Sequence, residues 1–282
     1  MNKLFDIIHE DDELLVVNKP SDLVCHPTKG DEFSSLISRV RLHLGSTTQP
    51  HLVNRLDRET SGVTVVAKST VIAGELGRLW EARTVEKEYL AIVHGHICDD
   101  HGLIDAPLGK DESSRVAIKD CVRPDGTPAQ TKFHVEGRLA TPGGESTYSL
   151  LLIQPHTGRK HQIRIHLAHI GHPIVGDKIY GGDEDLYLAL VEGRLTDEQR
   201  ARLILPNQAL HASAVRFNWR GAQVEFRCEP EKWFSDFLTA HQHRAAPVPD
   251  GLPLRDPAAR EPASQRESVP PEGETFPPQC AR

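Results

Sequence analysis

The 282-residue chain is long enough to bury a sizeable core as one large domain or two small ones. Its 33 Lys and Arg stand against 40 Asp and Glu, a net charge of −7, so any face that binds nucleic acid has to be local. No run approaches the roughly 18 apolar residues of a membrane span, and the N-terminus MNKLFDIIHEDD has no sustained apolar segment of the secretory kind.

Leu14 to Val17 form a compact apolar run, a predicted buried strand stopped by Asn18-Lys19-Pro20. The loop-like SDLVCHPTKG follows. Leu36, Ile37, Val40 and Leu44 then recur at helical spacing, predicting a short amphipathic helix over residues 34–44. HLVN, from His51, is a short extended run, and GVTVVAK, from Gly62, is β-branched and nearly all apolar, the mark of a buried strand. Ser69 can cap a helix whose apolar face is Ile72, Leu76, Leu79 and Trp80. Tyr89 to Val93 and Tyr148 to Ile153 are further strands, and Val116 to Ile118 and Lys132 to Val135 are shorter strand-like runs. A helix is predicted over Arg159 to Ile170, with Ile163, Leu167 and Ile170 inward and Gly171 just past its end. Residues 183–206 have helical composition and are expected as a surface insertion. Ala214 to Trp219 and Gln223 to Cys228 predict a hairpin through Arg220-Gly221, followed by a helix from about Pro230 to Leu238. Residues 245–282 hold nine of the twenty prolines and few aromatic or β-branched residues, the composition of a disordered tail. Strands with interspersed helices and no regular βα alternation predict an α+β fold with a mainly antiparallel sheet.

Between HLVN and GVTVVAK sits RLDRETSG, which crowds Arg55, Asp57, Arg58, Glu59 and Thr60 into one connection. A plain turn needs only Gly, Asn or Asp there, although a loop carboxylate often serves merely as a cap or surface ion pair. R-L-D-x-x-T-S-G followed by an apolar strand resembles the signature of the RluA family of pseudouridine synthases. EKEYLAIVHG (Glu86 to Gly95), PHTGRKHQIRIHLAHIGHPIVGDKIYGG (Pro155 to Gly182) and ALHASAVRF (Ala209 to Phe217) resemble further blocks of that family in the same order. DELLVVNKPSDLVCHP (Asp12 to Pro27) looks like its first strand. The likeness runs from about residue 6 to 240, and implies the pseudouridine synthase fold: a long mixed sheet flanked by helices with a central active-site cleft. A catalytic domain over residues 1–244 is therefore expected, without the N-terminal S4-type RNA-binding domain of many relatives. Two departures are local. Asp22 stands where the family often has Gly, and Asn54 where many relatives carry His, with loop support the expected role of Asn54.

The implied reaction breaks the C–N glycosidic bond of a uridine, turns the base and joins its C5 to C1′ of the same ribose. A carboxylate beside the electron-poor sugar carbon can stabilise or trap it, with no metal, nucleotide or redox cofactor. The resemblance assigns that carboxylate to Asp57, its partner cation to Arg164 and a base-stacking ring to Tyr89. Taken alone, Arg164 could equally sit on a solvent face and Tyr89 in a core. Arg55 is expected to fill the space vacated by an extruded nucleotide. Gln154 to Gly182 carries Arg159, Lys160, Arg164 and Lys178 against Asp177 alone, a basic patch able to track phosphates, in which Arg159, Lys160 and His161 are the candidate RNA contacts. His166, His169 and His172 recur every three residues, yet no HExxH or nearby carboxylate makes them a metal site, and phosphate contact or helix packing is expected.

The expected partner is rRNA or tRNA, met by a cytoplasmic monomer. Five widely spaced cysteines without a CxxC pair argue against a disulfide framework or a zinc module and suit a reducing compartment. A non-catalytic RNA-binding relative is the main rival reading, disfavoured by the presence of Asp57, Arg164 and Tyr89. A nucleoside hydrolase would need a second carboxylate to activate water, which the sequence does not identify. Arg164→Ala is expected to impair turnover more than stability, and truncation after Arg244 to leave activity intact.

Overall fold

Ser61–Ala67 (SGVTVVA) is buried at every position, so both faces of this β-branched run are covered, as in a strand from the middle of a sheet. The computed structural model describes residues 5–27 and 34–241; the expected tail lies outside the described residues.

In chain order the elements are β1 (Asp6–Glu10), β2 (Leu14–Lys19), α1 (Leu36–Leu44), β3 (His51–Leu52), β4 (Ser61–Ala67), α2 (Thr70–Glu81) and β5 (Glu86–His94). There follow β6 (His101–Asp105), β7 (Leu108–Lys110), β8 (Asp120–Val122), β9 (Gln130–Ala140), β10 (Thr147–Pro155) and α3 (Gln162–His169). The described part ends with α4 (Asp185–Val191), α5 (Asp197–Leu203), β11 (Leu210–Trp219), β12 (Ala222–Arg227) and α6 (Lys232–His241). Ten strands form one sheet in the order β1-β2-β4-β11-β5-β10-β9-β6, with β3 beside β4 and β12 beside β11; β7 and β8 make a separate ribbon. Pairing within these sheets is antiparallel except between β4 and β11, which run parallel. This is the expected α+β architecture, with a mixed, mainly antiparallel sheet.

The parallel contact is tight. His211 lies opposite Ser61 and Ala212 opposite Gly62, and Gly62 has φ +119°. A Cβ on Gly62 would lie 2.3 Å from the Ala212 carbonyl oxygen and 2.6 Å from its nitrogen, so only glycine fits. Gly62→Ala is expected to lose roughly 3 kcal/mol through strain and overpacking, read as a lower denaturation midpoint with unchanged slope.

The larger core cluster lies under β5, β9 and β10, where Ile92, Leu151, Ile153 and Leu167 are fully buried with Phe234 of α6. A second, under β4 and α2, gathers Val63, Val65, Ile72, Leu76 and Phe217. Ser69 caps α2, accepting the Ile72 amide N–H, as its position in the sequence predicts.

Three local expectations change. Val116 to Ile118 is a turn, not a strand. Residues 159–161 lie outside α3, because the Gln162 carboxamide gathers the preceding loop: its Oε1 accepts from Thr157 and Arg159, while its Nε2 donates to Gln130 and Thr131. His161 takes a left-handed conformation, φ 55°, at the junction. Residues 183–206 do form helices, but Leu186, Ala189 and Leu203 are buried, so the insertion packs into the body. Among the described residues Cys25, Cys121 and Cys228 are free thiols.

Candidate active site

The connection from β3 to β4 is held at almost every residue. Asn54 grips β4 from both ends of its amide, donating to Val63 O at 3.1 Å and accepting from Val65 N–H at 2.8 Å, which is the loop support expected of it. Leu56 exchanges two longer contacts with the buried Cys25 thiol, 3.3 and 3.4 Å. Lys19, fully buried, donates to the carbonyls of Pro20, Leu23 and Arg58, and thereby ties the turn after β2 to this loop. Burial pushes the Lys19 ammonium down to about 8. Asp22, at the position where a glycine is common, adopts φ 63° and pairs with Arg58 at 2.7 Å. Thr60 accepts from Gln208 at 2.6 Å.

Held this way, Asp57 extends a carboxylate that is 30% exposed toward Arg164, whose Nη1 donates to it at 2.8 Å. The other edge of the guanidinium forks onto Asp177, Nε to Oδ2 at 2.7 Å and Nη2 to Oδ1 at 2.9 Å. Asp177 is 0% exposed and also accepts the backbone N–H groups of Ile179 and Tyr180. Burial opposes ionisation of this carboxyl, but Arg164 and the two amides outweigh it and hold it below the usual carboxylate range. Burial likewise works against the Arg164 cation, and Asp177 and then Asp57 more than restore it. The Tyr180 ring lies 5.0 Å from the guanidinium carbon.

His161 brings Nε2 to 3.8 Å from Asp57 and places Nδ1 at 2.9 Å from the Tyr180 hydroxyl. Burial, helped by the Arg164 charge, pushes its imidazole down to about 4, so it is neutral at pH 7. The unfolded chain therefore binds the extra proton between about pH 6.5 and 4. The stability that the neutral ring contributes is present above that window and lost as pH falls through it. In His161→Gln that acid-side loss should shrink by roughly 2–3 kcal/mol, measured by denaturant titration at pH 7, 5.5 and 4.

These groups open on a cavity of about 430 Å³ lined by Asp57, Arg58, His161, Arg164, Lys178 and Gln208 on one side and by Ile118, Tyr187, Leu190 and Val191 on another. The apolar wall comes from the turn at 116–118 and from α4, so the insertion builds part of the site. Glu184, just before α4, fastens the two together through Ser114 at 2.6 Å and Lys119 at 3.3 Å. Lys178 donates to both oxygens of Glu59, at 2.8 and 2.9 Å, and to Pro206 O.

Asp57, Arg164 and His161 are thus gathered. Tyr89, partly buried on β5 opposite Ala212 and Ile153, lies near enough to Asp57 to sense its charge; burial first and that charge second hold its phenol protonated. Arg55 and Arg159 are exposed, and Lys160 pairs with Asp120 at 2.8 Å. The supposed basic patch is smaller than its composition suggests, because Arg164 and Lys178 are buried and neutralised internally. His166 bonds Thr131 and the Ala106 carbonyl and is fully buried, so that histidine packs the helix. Sequence reasoning missed Asp177, Glu59 and Lys19. The one available signal for Asp177 was an acid set inside the otherwise apolar and basic run IVGDKIYG.

The chain is 35% identical over 229 residues to an uncharacterized RNA pseudouridine synthase, YlyB, of Bacillus subtilis, covering 78% of this chain and 67% of that protein. It is 33% identical over 214 residues to ribosomal large subunit pseudouridine synthase D of Haemophilus ducreyi, covering 75% and 62%. A relative from Aquifex aeolicus, also an uncharacterized RNA pseudouridine synthase, is 38% identical over 182 residues; 62% of this chain spans 56% of it. Among solved structures, human RNA pseudouridylate synthase domain containing 1 superposes with a TM-score of 0.64 at 28% identity, over 82% of this chain and 86% of that one. The profile of the RNA pseudouridylate synthase family matches residues 13–169, from β2 through α3 and across more than half of the sequence, and so the chain belongs to that family.

Proposed function

We propose that this protein isomerises specific uridines in structured rRNA or tRNA to pseudouridine, with Asp57 as the reacting carboxylate. The observation that carries the proposal is the Asp57–Arg164–Asp177 arrangement at the cavity: a buried carboxylate saturates one edge of the guanidinium, which leaves Nη1 aimed at Asp57. The cation is thereby oriented before substrate arrives, and Asp57 presents a partly exposed carboxylate to the ribose.

In the reaction the N1–C1′ bond breaks and a C5–C1′ bond forms. The proton on C5 leaves and N1 gains one, so no oxidant or co-substrate is required. An anionic Asp57 serves this whether it adds to C1′ or removes a ribose proton. Tyr89 offers a protonated phenol and a flat ring to the base, Arg55 a stacking cation for the vacated position, and Arg159, Lys160 and His161 the surface beside them. The Haemophilus relative is named for the large ribosomal subunit, which puts rRNA first among the candidate substrates. Among the described residues no helix is long and apolar enough to cross a membrane. Hydrolysis is disfavoured because both further carboxylates at the site are engaged, Glu59 by Lys178 and Asp177 by Arg164, leaving neither to activate water.

Mapping pseudouridines in cellular RNA with and without the gene, then after restoring it as wild type or as Asp57→Asn, tests the proposal. The expected result is one or a few sites that vanish on deletion and return only with the wild type. No change in the map on deletion, or full restoration by Asp57→Asn, overturns it.

A further inference from the structure

Resting on that reading, we propose that Lys87 binds a backbone phosphate flanking the target uridine. Lys87 lies two residues before Tyr89 on β5, and the period of a strand puts both side chains on one face. Glu88, between them, points the other way and is taken up by Arg216, Arg227 and Gln154. The Lys87 ammonium reaches the loop before α3, where a Cβ added to Gly158 would lie 3.8 Å from Nζ. The same loop carries Arg159, Lys160 and His161.

What sets Lys87 apart from the exposed Arg55 and Arg159 is partial burial without an ion-pair partner. The Arg164 cation is matched by the buried Asp177, Lys178 by the partly buried Glu59, Lys160 by Asp120 and Arg58 by Asp22. Lys87 is partly buried, and among the described residues no hydrogen bond or ion pair involves its ammonium. Burial, and next the neighbouring Arg83 charge, depress its proton affinity, with no carboxylate acting the other way. A half-buried, uncompensated cation opposes folding, and an incoming anion relieves it. Beside a ring offered to a nucleobase, and with only the hydrogen of Gly158 in the way, the anion of matching size and place is a phosphodiester oxygen of the same RNA strand. Lysine suits this as a point charge that needs no planar fork.

The test uses the full chain and a transcript covering one mapped uridine. Lys87→Met keeps the aliphatic stem and removes the charge. It should weaken RNA binding about 5- to 10-fold near 0.1 M salt, raise KM in proportion, change kcat less than about 3-fold, and lower the slope of log K against log salt by about 0.7–0.9. Lys87→Arg should recover most of the affinity. Single methylphosphonate substitutions at the phosphates on either side of the uridine supply a double-mutant cycle. At one of them the wild type should lose the same 5- to 10-fold, and Lys87→Met less than 2-fold. An unchanged salt slope, or strict additivity at every flanking phosphate, overturns the assignment while leaving the pseudouridine reading intact. A wild-type protein that modifies no uridine overturns both.

Discussion

Asp57→Asn is expected to bind RNA within about 3-fold of wild type while single-turnover pseudouridine formation falls by roughly 10⁴-fold or more, about 5.5 kcal/mol of lost transition-state stabilisation. The carboxamide has the shape of the carboxylate and can still accept from Arg164, and Arg164 keeps its fork on Asp177. Since the Asp57 side chain is 30% exposed, the fold should change by less than about 1 kcal/mol. The experiment compares rate, affinity and melting temperature on one preparation, using the mapped transcript. Turnover at the wild-type rate removes Asp57 from the chemistry. A matching loss of affinity and rate assigns it to binding alone.

Arg164→Ala should be costly in both turnover and stability, which revises the expectation that the fold would suffer less. The sequence alone pairs Arg164 with a partly exposed aspartate, whereas the structure adds Asp177 at 0% exposure. Removing the guanidinium strands that carboxylate with only two backbone N–H donors, a change of about 3–5 kcal/mol. The melting temperature should fall by about 10 °C at pH 7, taking roughly 2–4 °C per kcal/mol for a domain of this size. In the wild type Asp177 has a depressed folded-state pKa, so its contribution is present above the ordinary aspartate value and lost as pH falls below it. In the variant only the two backbone amides oppose the effect of burial on that group, and protonation relieves it. The stability gap should therefore narrow between pH 7 and pH 5. A melting temperature within 2 °C of wild type at pH 7 would show that Asp177 does not depend on Arg164.

The strands were legible where one residue type dominates: the β-branched Ser61–Ala67 run and the apolar Thr147–Pro155 run form in place, and Ser69 begins α2. Helix α3 was harder. Gln162, Ile163, Arg164, Ile165, His166 and Leu167 are all buried, so this stretch has no solvent face and its polar residues are held by partners rather than by water. Periodicity cannot place a charge in such a helix, and the pairing of Arg164 with Asp57 came from family resemblance. Asp177 and Glu59 stayed hidden because their partners meet them only through the tertiary fold, Arg164 from 13 residues away and Lys178 from 119. The helical content of residues 183–206 could be read from composition, but its place against the cavity depends on Ser114 and Lys119, some 70 residues earlier.

The position of β11 determines when this protein can become active. Strands β4 and β5, separated in sequence only by α2, are not neighbours in the sheet; β11 lies between them. The N-terminal half of the sheet therefore joins the half carrying Tyr89 only through residues 210–219. Pairing Ser61 with His211 closes a loop of about 150 residues, a late and slow event by the logic of contact order. On the ribosome, a nascent chain that has already exposed Asp57, Tyr89 and Arg164 still lacks the strand that joins them. Competence requires that residues 210–219 have emerged and paired.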